Sequence, residues 1–314
     1  MKKQSPNEVY TITDLQDWPE ATKRVKPPIR LAVIGDPVAH SLSPELQTAA
    51  LQECGIDMQY TRLHVRADDL ADAIKLIRQI GFVGFNVTLP HKENVLGLLD
   101  EIDPVAEQIG AVNTIAAGND KLTGFNTDGV GFSRAVREAF SVDLRDLRVL
   151  LVGAGGAAQA IAFECGRENC ERLVIVNRTR AKADRLVQKL RHFFTGPRVL
   201  GPVARLQAIG WDEVELRAQI PHTDLLVNAT PLGLERSDRS PVPAHLLAPH
   251  LMVYDTVYGP TRTPLLTAAM NAGARGADGG SMLLHQGARA FELWFGRDAP
   301  LIAMRSAINA ALSR

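Results

Sequence analysis

The sequence predicts an α/β fold in two domains, each a parallel sheet covered by helices on both faces, with C-terminal helices free to return to the first domain. Three observations predict it. Short apolar runs alternate with helix-type stretches along the chain. The length of 314 residues suits one large or two ordinary domains. The stretch from Arg148 to Ala158 has the form of a strand, a tight turn and a helix N-terminus.

That stretch organises the rest. The apolar run Arg148-Val149-Leu150-Leu151-Val152 ends in Gly153-Ala154-Gly155-Gly156-Ala157-Ala158, and Ala157 to Phe163 holds no helix breaker. Gly153, Gly155 and Ala158 fit the G-x-G-x-x-G/A spacing of a dinucleotide-binding turn. The chemistry needs one glycine for the bend, a second for backbone approach to a pyrophosphate, and a small third residue for helix–strand packing. The phosphates would sit on free N–H groups at the helix N-terminus. Glycines also serve purely structural turns. The second apolar strand, Leu173 to Val176, lies at the distance a Rossmann unit requires and favours the nucleotide reading.

Composition excludes several classes. With 46% hydrophobic and 22% charged residues and a formal net charge of zero, nothing points to nucleic acid or an anionic membrane as partner. Three cysteines, Cys54, Cys165 and Cys170, without C-x-x-C or Cys/His clustering, argue against a disulfide framework or a metal site. Small buried apolar residues in a reducing, cytoplasmic setting are expected. No apolar run is long enough to span a bilayer. Lys2 and Lys3 precede no apolar core, so no secretory signal is expected. Residues 1–29 read as a polar N-terminal extension without a legible role.

The elements follow in order. Arg30 to Gly35 is a buried strand. Ser43 before Pro44 reads as a helix N-cap with proline at the first helical position, and the helix stops at Gly55. Gln59 to Val65 alternates as a half-buried strand does. Asp68 caps a helix whose Leu70, Ile74 and Ile77 share a face, ended by Gly81. Gly84 to Leu89 is a strand stopped by Pro90, with Lys92 just beyond, near a helix start. Asp103-Pro104 opens a short helix. Ala111 to Ile115 and Lys121 to Phe125 bracket the hairpin signal Gly118-Asn119-Asp120. A helix covers Asp128 to Phe140. After the dinucleotide turn come a helix around Ala181 to His192, a strand near Val199, and strands at Asp224 to Asn228 and Met252 to Thr256. Thr263-Pro264 opens a helix ended by Gly273, Arg275 to Ala277 is a last strand, and helices cover Gly280 to Phe295 and Leu301 to Leu312. The expected domains are 30–127, substrate-binding and catalytic, and 128–279, nucleotide-binding, with 280–314 as the returning helices. Ligands of such sheets bind at strand carboxyl ends, which here would gather in a cleft between the domains.

The end of the second nucleotide-domain strand indicates the cofactor. An NAD-selective site places a carboxylate there for the ribose 2′-hydroxyl. This chain has Asn177-Arg178-Thr179-Arg180-Ala181-Lys182 instead: three cations, a hydroxyl and an amide. That set suits a 2′-phosphate, hence NADP. A merely solvated helix start is the plainer alternative, but cations there oppose the helix dipole.

The polar groups at strand ends are Ser41, Ser43, Asn86, Thr88, Lys92, Asn113, Asn126, Asp128 and Tyr258, a set suited to a small polyhydroxylated anion. Lys92 and Asp128 can form the acid/base pair that hydride transfer to a ketone requires. In isolation the plainer readings come first, Lys92 as a surface helix cation and Asp128 as a helix N-cap, though Asp128 could serve both roles.

The ordered motifs change this. His40-Ser41-Leu42-Ser43-Pro44, Asn86-Val87-Thr88-Leu89-Pro90-His91-Lys92, Gly110-Ala111-Val112-Asn113-Thr114 and Asn126-Thr127-Asp128-Gly129 resemble shikimate dehydrogenases. So do the glycine turn, Asn177-Arg178-Thr179, Asn228-Ala229-Thr230-Pro231-Leu232-Gly233, Tyr254-Asp255-Thr256-Val257-Tyr258 and Gly280 to Ala288. The resemblance covers about residues 30–314. It implies NADP-dependent, reversible reduction of 3-dehydroshikimate to shikimate, in aromatic amino-acid biosynthesis. It implies Lys92 and Asp128 as the catalytic pair, and Ser41 and Ser43 as holders of the substrate carboxylate. Asn86, Thr88, Asn113 and Gln286 would be ring-hydroxyl contacts, with Tyr258 near the substrate. The cofactor set is Gly153, Ala154, Gly155, Gly156, Ala157, Asn177, Arg178, Thr179, Lys182, Thr230 and Gly279. The expected partner is the small-molecule substrate, and a homodimer is compatible with the family. Gln47 stands where histidine is common, His91 where phenylalanine is, and Lys182 where arginine is. The extension has no counterpart in the motif pattern. Two alternatives stay open: a quinate/shikimate dehydrogenase with relaxed substrate or NAD/NADP use, and a non-catalytic small-molecule sensor on the same fold.

Overall fold

The computed structural model describes residues 9–195, 204–235 and 237–313. They form two compact units, the first running to Thr127 and resuming at Gln286, the second from Asp128 to His285. The sequence places the second boundary at residue 279. It falls instead between His285 and Gln286, inside a helix that runs unbroken from Gly280 to Phe295 even through Gly287.

The first unit comprises β1 (Val9–Thr11), α1 (Ile12–Gln16), α2 (Trp18–Ala21), β2 (Ile29–Gly35), α3 (Ser43–Glu53), β3 (Gln59–His64), α4 (Leu70–Ile80), β4 (Gly84–Val87), β5 (Glu101–Ile102), α5 (Pro104–Ile109), β6 (Thr114–Gly118) and β7 (Lys121–Phe125). Its described strands lie in the order β1-β3-β2-β4-β6-β7-β5. This sheet is mixed, which corrects the expectation of a parallel one. The hairpin is the cause: Asn119 and Asp120, with φ of 51° and 61°, form a two-residue turn that returns β7 antiparallel to β6, and β6 also runs antiparallel to β4. Positive φ at both central residues matches the right-handed twist of the paired strands. The helix expected near Lys92 is absent. Residues 88–95 form turns, followed by a single 3-10 turn at Leu96–Leu98, because His91 N–H closes onto the Thr88 carbonyl.

The described part of the N-terminal extension belongs to this unit. β1 pairs parallel with β3, Tyr10 opposite Leu63. Tyr10, Leu15 and Trp18 are buried in the core of the sheet and α4. Trp18 meets Tyr10 edge-on at 5.1 Å and Phe82 at 5.5 Å. The three apolar residues sit on a three-residue strand and two helices of five and four residues, too short for either periodicity to show.

The second unit comprises α6 (Asp128–Phe140), β8 (Arg148–Val152), α7 (Gly156–Arg167), β9 (Arg172–Val176), α8 (Arg180–Leu190), β10 (Leu206–Ile209), α9 (Glu213–Gln219), β11 (Leu225–Asn228), β12 (Met252–Asp255), α10 (Pro264–Asn271), β13 (Arg275–Ala277) and the start of α11 (Gly280–Phe295). Its described strands are all parallel, in the order β10-β9-β8-β11-β12-β13. This is the Rossmann order, with the reversal of direction between β8 and β11. The strand expected near Val199 lies outside the described residues; β10 begins at Leu206. Leu150, Val152, Val174, Val176, Leu226 and Val253 form the core beneath the strands' carboxyl ends. After α11, α12 (Leu301–Leu312) packs on α3 within the first unit. No helix of the described residues is long and apolar enough to cross a membrane.

If the N-terminal segment belongs to the core, Trp18→Ala costs about 3 kcal/mol, the usual penalty for emptying a buried aromatic site. Denaturant unfolding of the two proteins measures it; an unchanged midpoint would separate the segment from the fold.

Candidate functional site

In the first unit the site is a buried chain of amides and hydroxyls. Asn113, 2% exposed, sits just before β6. Its Oδ1 accepts from the Thr127 backbone N–H at 2.8 Å and from Thr114 Oγ1 at 3.1 Å. Its Nδ2 donates to Thr127 Oγ1 at 2.9 Å and to Gln286 Oε1 at 3.3 Å. One residue thus ties the start of β6, the segment after β7, and α11. Asn86, on β4, donates through Nδ2 to the Asn113 carbonyl at 3.1 Å and to Thr114 Oγ1 at 3.0 Å, and accepts from the Tyr60 hydroxyl at 2.7 Å. The structure brings Asn86, Asn113 and Gln286 together. Sequence reasoning missed Tyr60, Thr114 and Thr127, whose types are ordinary for strands and loops.

Ser41 and Ser43 form a second group. Their hydroxyls are 3.1 Å apart, and Ser41 Oγ accepts from the Ser43 N–H at 3.3 Å. The expected cap is therefore corrected. α3 begins at Ser43 and Ser41 supplies the local oxygen, because Pro44 needs no N–H partner. Arg62, buried on β3, donates Nε and Nη2 to the Ser41 carbonyl and Nη2 to both oxygens of Glu45. This arrangement fixes the serine loop, and breaking such a buried pair leaves an uncompensated charge. Nothing in the sequence marked Arg62.

Thr88 follows β4, its N–H bonded to the Ile34 carbonyl at 2.9 Å. Lys92 lies in the turn beyond, and its carbonyl accepts from Val112 N–H at 2.8 Å, directly before Asn113. Asp128 follows Thr127 in the chain, is buried, and begins α6 in the second unit, where its charge suits the helix N-terminus. Tyr258 lies in the second unit, after β12. Two of the unusual residues have structural partners: Gln47 Nε2 donates to the Gly287 carbonyl at 2.8 Å, and the His91 ring meets the Val65 carbonyl at 2.6 Å.

In the second unit, Gly153 to Ala157 link β8 to α7 at the reversal of strand order. Gly153 has φ +123°, and a Cβ there would stand 2.7 Å from the Ala229 carbonyl oxygen after β11. Gly155 is the N-cap of α7 and has open space where its Cβ would be, the room a pyrophosphate needs. Gly279 lets its backbone pass Thr256, whose oxygen would be 2.1 Å from a Cβ. Thr230 Oγ1 donates to Asn228 Oδ1 at 2.7 Å.

At the end of β9, Asn177 Nδ2 donates to the Thr179 carbonyl at 2.9 Å, shaping the loop before α8. Arg180 is drawn toward Glu215 at 3.2 Å. Arg178 and Lys182 are exposed and have no carboxylate partner among the described residues. Two cations facing solvent at a strand end, with a phosphate-sized turn on the neighbouring strand, fit a dinucleotide that carries an additional phosphate. Among the described residues no group of three His, Cys, Asp or Glu is placed to hold a metal ion.

A lock missed by the sequence reading holds the far side of this unit. Asp255 accepts from Asn228 Nδ2 at 2.8 Å, Thr263 Oγ1 at 2.6 Å and Val257 N–H at 3.1 Å. Burial raises its pKa against these donors, which favour the charged form. Burial also pushes the Tyr254 hydroxyl well above the usual tyrosine range, so it stays protonated beside Ser281.

Strand order, turn and donor set define a two-unit α/β protein with a Rossmann-type dinucleotide unit. Family models match three segments: the shikimate dehydrogenase substrate binding domain over residues 33–115, shikimate/quinate 5-dehydrogenase over 134–197, and the shikimate 5′-dehydrogenase C-terminal domain over 281–308. A shikimate dehydrogenase (NADP+) of Methanopyrus kandleri is 44% identical over 280 residues, 88% of this chain and 94% of the relative. The crystal structure of shikimate 5-dehydrogenase from Thermus thermophilus, in complex with NADP(H) and shikimate, is 36% identical with a TM-score of 0.78 over 90% of this chain and 99% of that one. Quinate dehydrogenase from Corynebacterium glutamicum, in complex with NAD, is 31% identical with a TM-score of 0.77 over 90% and 99%. The chain belongs to the shikimate dehydrogenase family.

Gly153→Ala should lower stability by about 2 kcal/mol, because it forces a side chain into a left-handed backbone and against Ala229. Thermal unfolding read on the second unit checks this. A midpoint within about a degree of wild type would show that the turn relaxes freely.

Proposed function

We propose that this chain is an NADP-dependent shikimate dehydrogenase that interconverts 3-dehydroshikimate and shikimate, in the pathway to aromatic amino acids. The observation that carries the reading is the Asn86–Asn113–Gln286 network in a unit that also holds Ser41, Ser43 and Lys92. The serine hydroxyls take the substrate carboxylate. Asn86, Thr88, Asn113 and Gln286 line the ring hydroxyls, and Tyr258 is a further substrate contact. Arg178 and Lys182, with Asn177 and Thr179, take the 2′-phosphate. The glycine turn from Gly153 to Ala157 takes the pyrophosphate, with Thr230 and Gly279 beside the nucleotide.

When bound, NADPH supplies the hydride that converts the C3 carbonyl carbon to a carbinol. Lys92 gives a proton to the developing alkoxide, and in the oxidative direction takes it back. Its charge beside that oxygen also stabilises the transition state. Asp128 is the second member of the catalytic pair that the family motifs imply. The three free cysteines fit a cytoplasmic enzyme. Quinate turnover is the second reading, supported by the likeness to a quinate dehydrogenase.

Absorbance of the nicotinamide band, with shikimate or quinate and NADP or NAD, tests this directly. Rapid reduction is expected with shikimate and NADP. Comparable rates with quinate or NAD would move the protein to the broader activity, and binding without turnover would leave a sensor. Lys92→Ala should lower kcat by about 10²–10⁴, the usual worth of a general acid. Near-normal turnover would remove Lys92 from the chemistry. Arg178→Gln should raise the KM for NADP about tenfold or more while leaving that for NAD alone, the loss of a charge-assisted hydrogen bond. An equal change for both cofactors would overturn the 2′-phosphate assignment.

A further inference from the structure

Asn86 has its hydrogen-bonding capacity divided in a way that constrains what it can recognise. Its Nδ2 faces the backbone carbonyl of Asn113 at 3.1 Å, and a carbonyl only accepts, so the amide cannot be turned the other way. The second N–H of that group goes to Thr114 Oγ1 at 3.0 Å, and the Thr114 hydroxyl spends its own proton on Asn113 Oδ1 at 3.1 Å. The oxygen of the amide therefore faces Tyr60, whose hydroxyl must donate, at 2.7 Å. Tyr60 is 2% exposed on β3, with its ring 6.1 Å from that of Trp294, and Trp294 is itself fixed by its Nε1 donating to the Ile115 carbonyl at 2.9 Å. One lone pair on Asn86 Oδ1 is left.

We infer that Tyr60 and the Asn113 carbonyl together make Asn86 an acceptor-only contact, so the ring position facing Asn86 must carry a hydrogen-bond donor. A hydroxyl satisfies this; a keto, ether or fluoro group of similar size does not. Tyr60 is a positioning residue: it holds the amide plane and leaves one defined lone pair. The inference rests on Asn86 being a substrate contact. It adds the polarity of that contact and the residue that sets it.

The test is calorimetric titration of the full-length protein with shikimate and with analogues in which each ring hydroxyl in turn is replaced by fluorine, which accepts weakly and cannot donate. Wild type should bind one of the fluoro analogues about five- to tenfold more weakly than shikimate, the worth of a neutral hydrogen bond. That discrimination should fall to within about twofold in Asn86→Ala. Tyr60→Phe should weaken shikimate about three- to tenfold in the wild-type background and change nothing further in Asn86→Ala, which a merely structural role of Tyr60 would not produce. Equal binding of every fluoro analogue by wild type, or an undiminished preference in Asn86→Ala, would overturn the inference. Shikimate binding without turnover would sink the proposed enzyme activity alone; absence of shikimate binding would sink both.

Discussion

Asn113 is the constraint on which the first unit's site depends. Four hydrogen bonds from one amide hold the start of β6, Thr127 and α11 in register. A fifth bond, donated by Asn86, goes to its backbone carbonyl. The segments joined are far apart in sequence, so the cost of ordering them is large, and a buried amide left half-satisfied would be worse than an apolar side chain. Full satisfaction makes the network rigid.

The second unit solves a different problem with backbone. A pyrophosphate needs N–H groups rather than side chains, and these become available only where the chain turns sharply from β8 into α7. Gly153 permits the turn and Gly279 permits the close passage at Thr256. The buried lock of Asn228, Asp255 and Thr263 holds the loops after β11 and β12, so the crevice at the reversal of strand order has fixed walls. Charge then selects among dinucleotides: the absence of a carboxylate at the end of β9, with Arg178 and Lys182 left facing solvent, favours an added phosphate.

Much of this is legible in the sequence because it is local. The glycine turn, the cation-rich strand end and the strand–helix alternation each depend on residues within a few positions of one another. The helix face of Leu70, Ile74 and Ile77 and the turn at Asn119-Asp120 are of the same kind. Lys92 does lie beyond a strand end, but the helix expected there gives way to turns set by Thr88 and His91. The antiparallel placement of β6 beside β4 is out of reach of any local pattern, since strand partners are chosen by the whole sheet.

The sequence by itself determined the α/β class, the dinucleotide turn and the residue types of the polar site, because periodicity, glycine spacing and side-chain chemistry are properties of short stretches. Only the tertiary structure decided that residues 9–21 complete the first sheet, that Arg62 holds the serine loop, and that Tyr60 and Thr114 set the polarity of Asn86. Those are contacts between residues distant in the chain. A hydrogen bond's direction depends on every partner around it, and no local pattern carries that information.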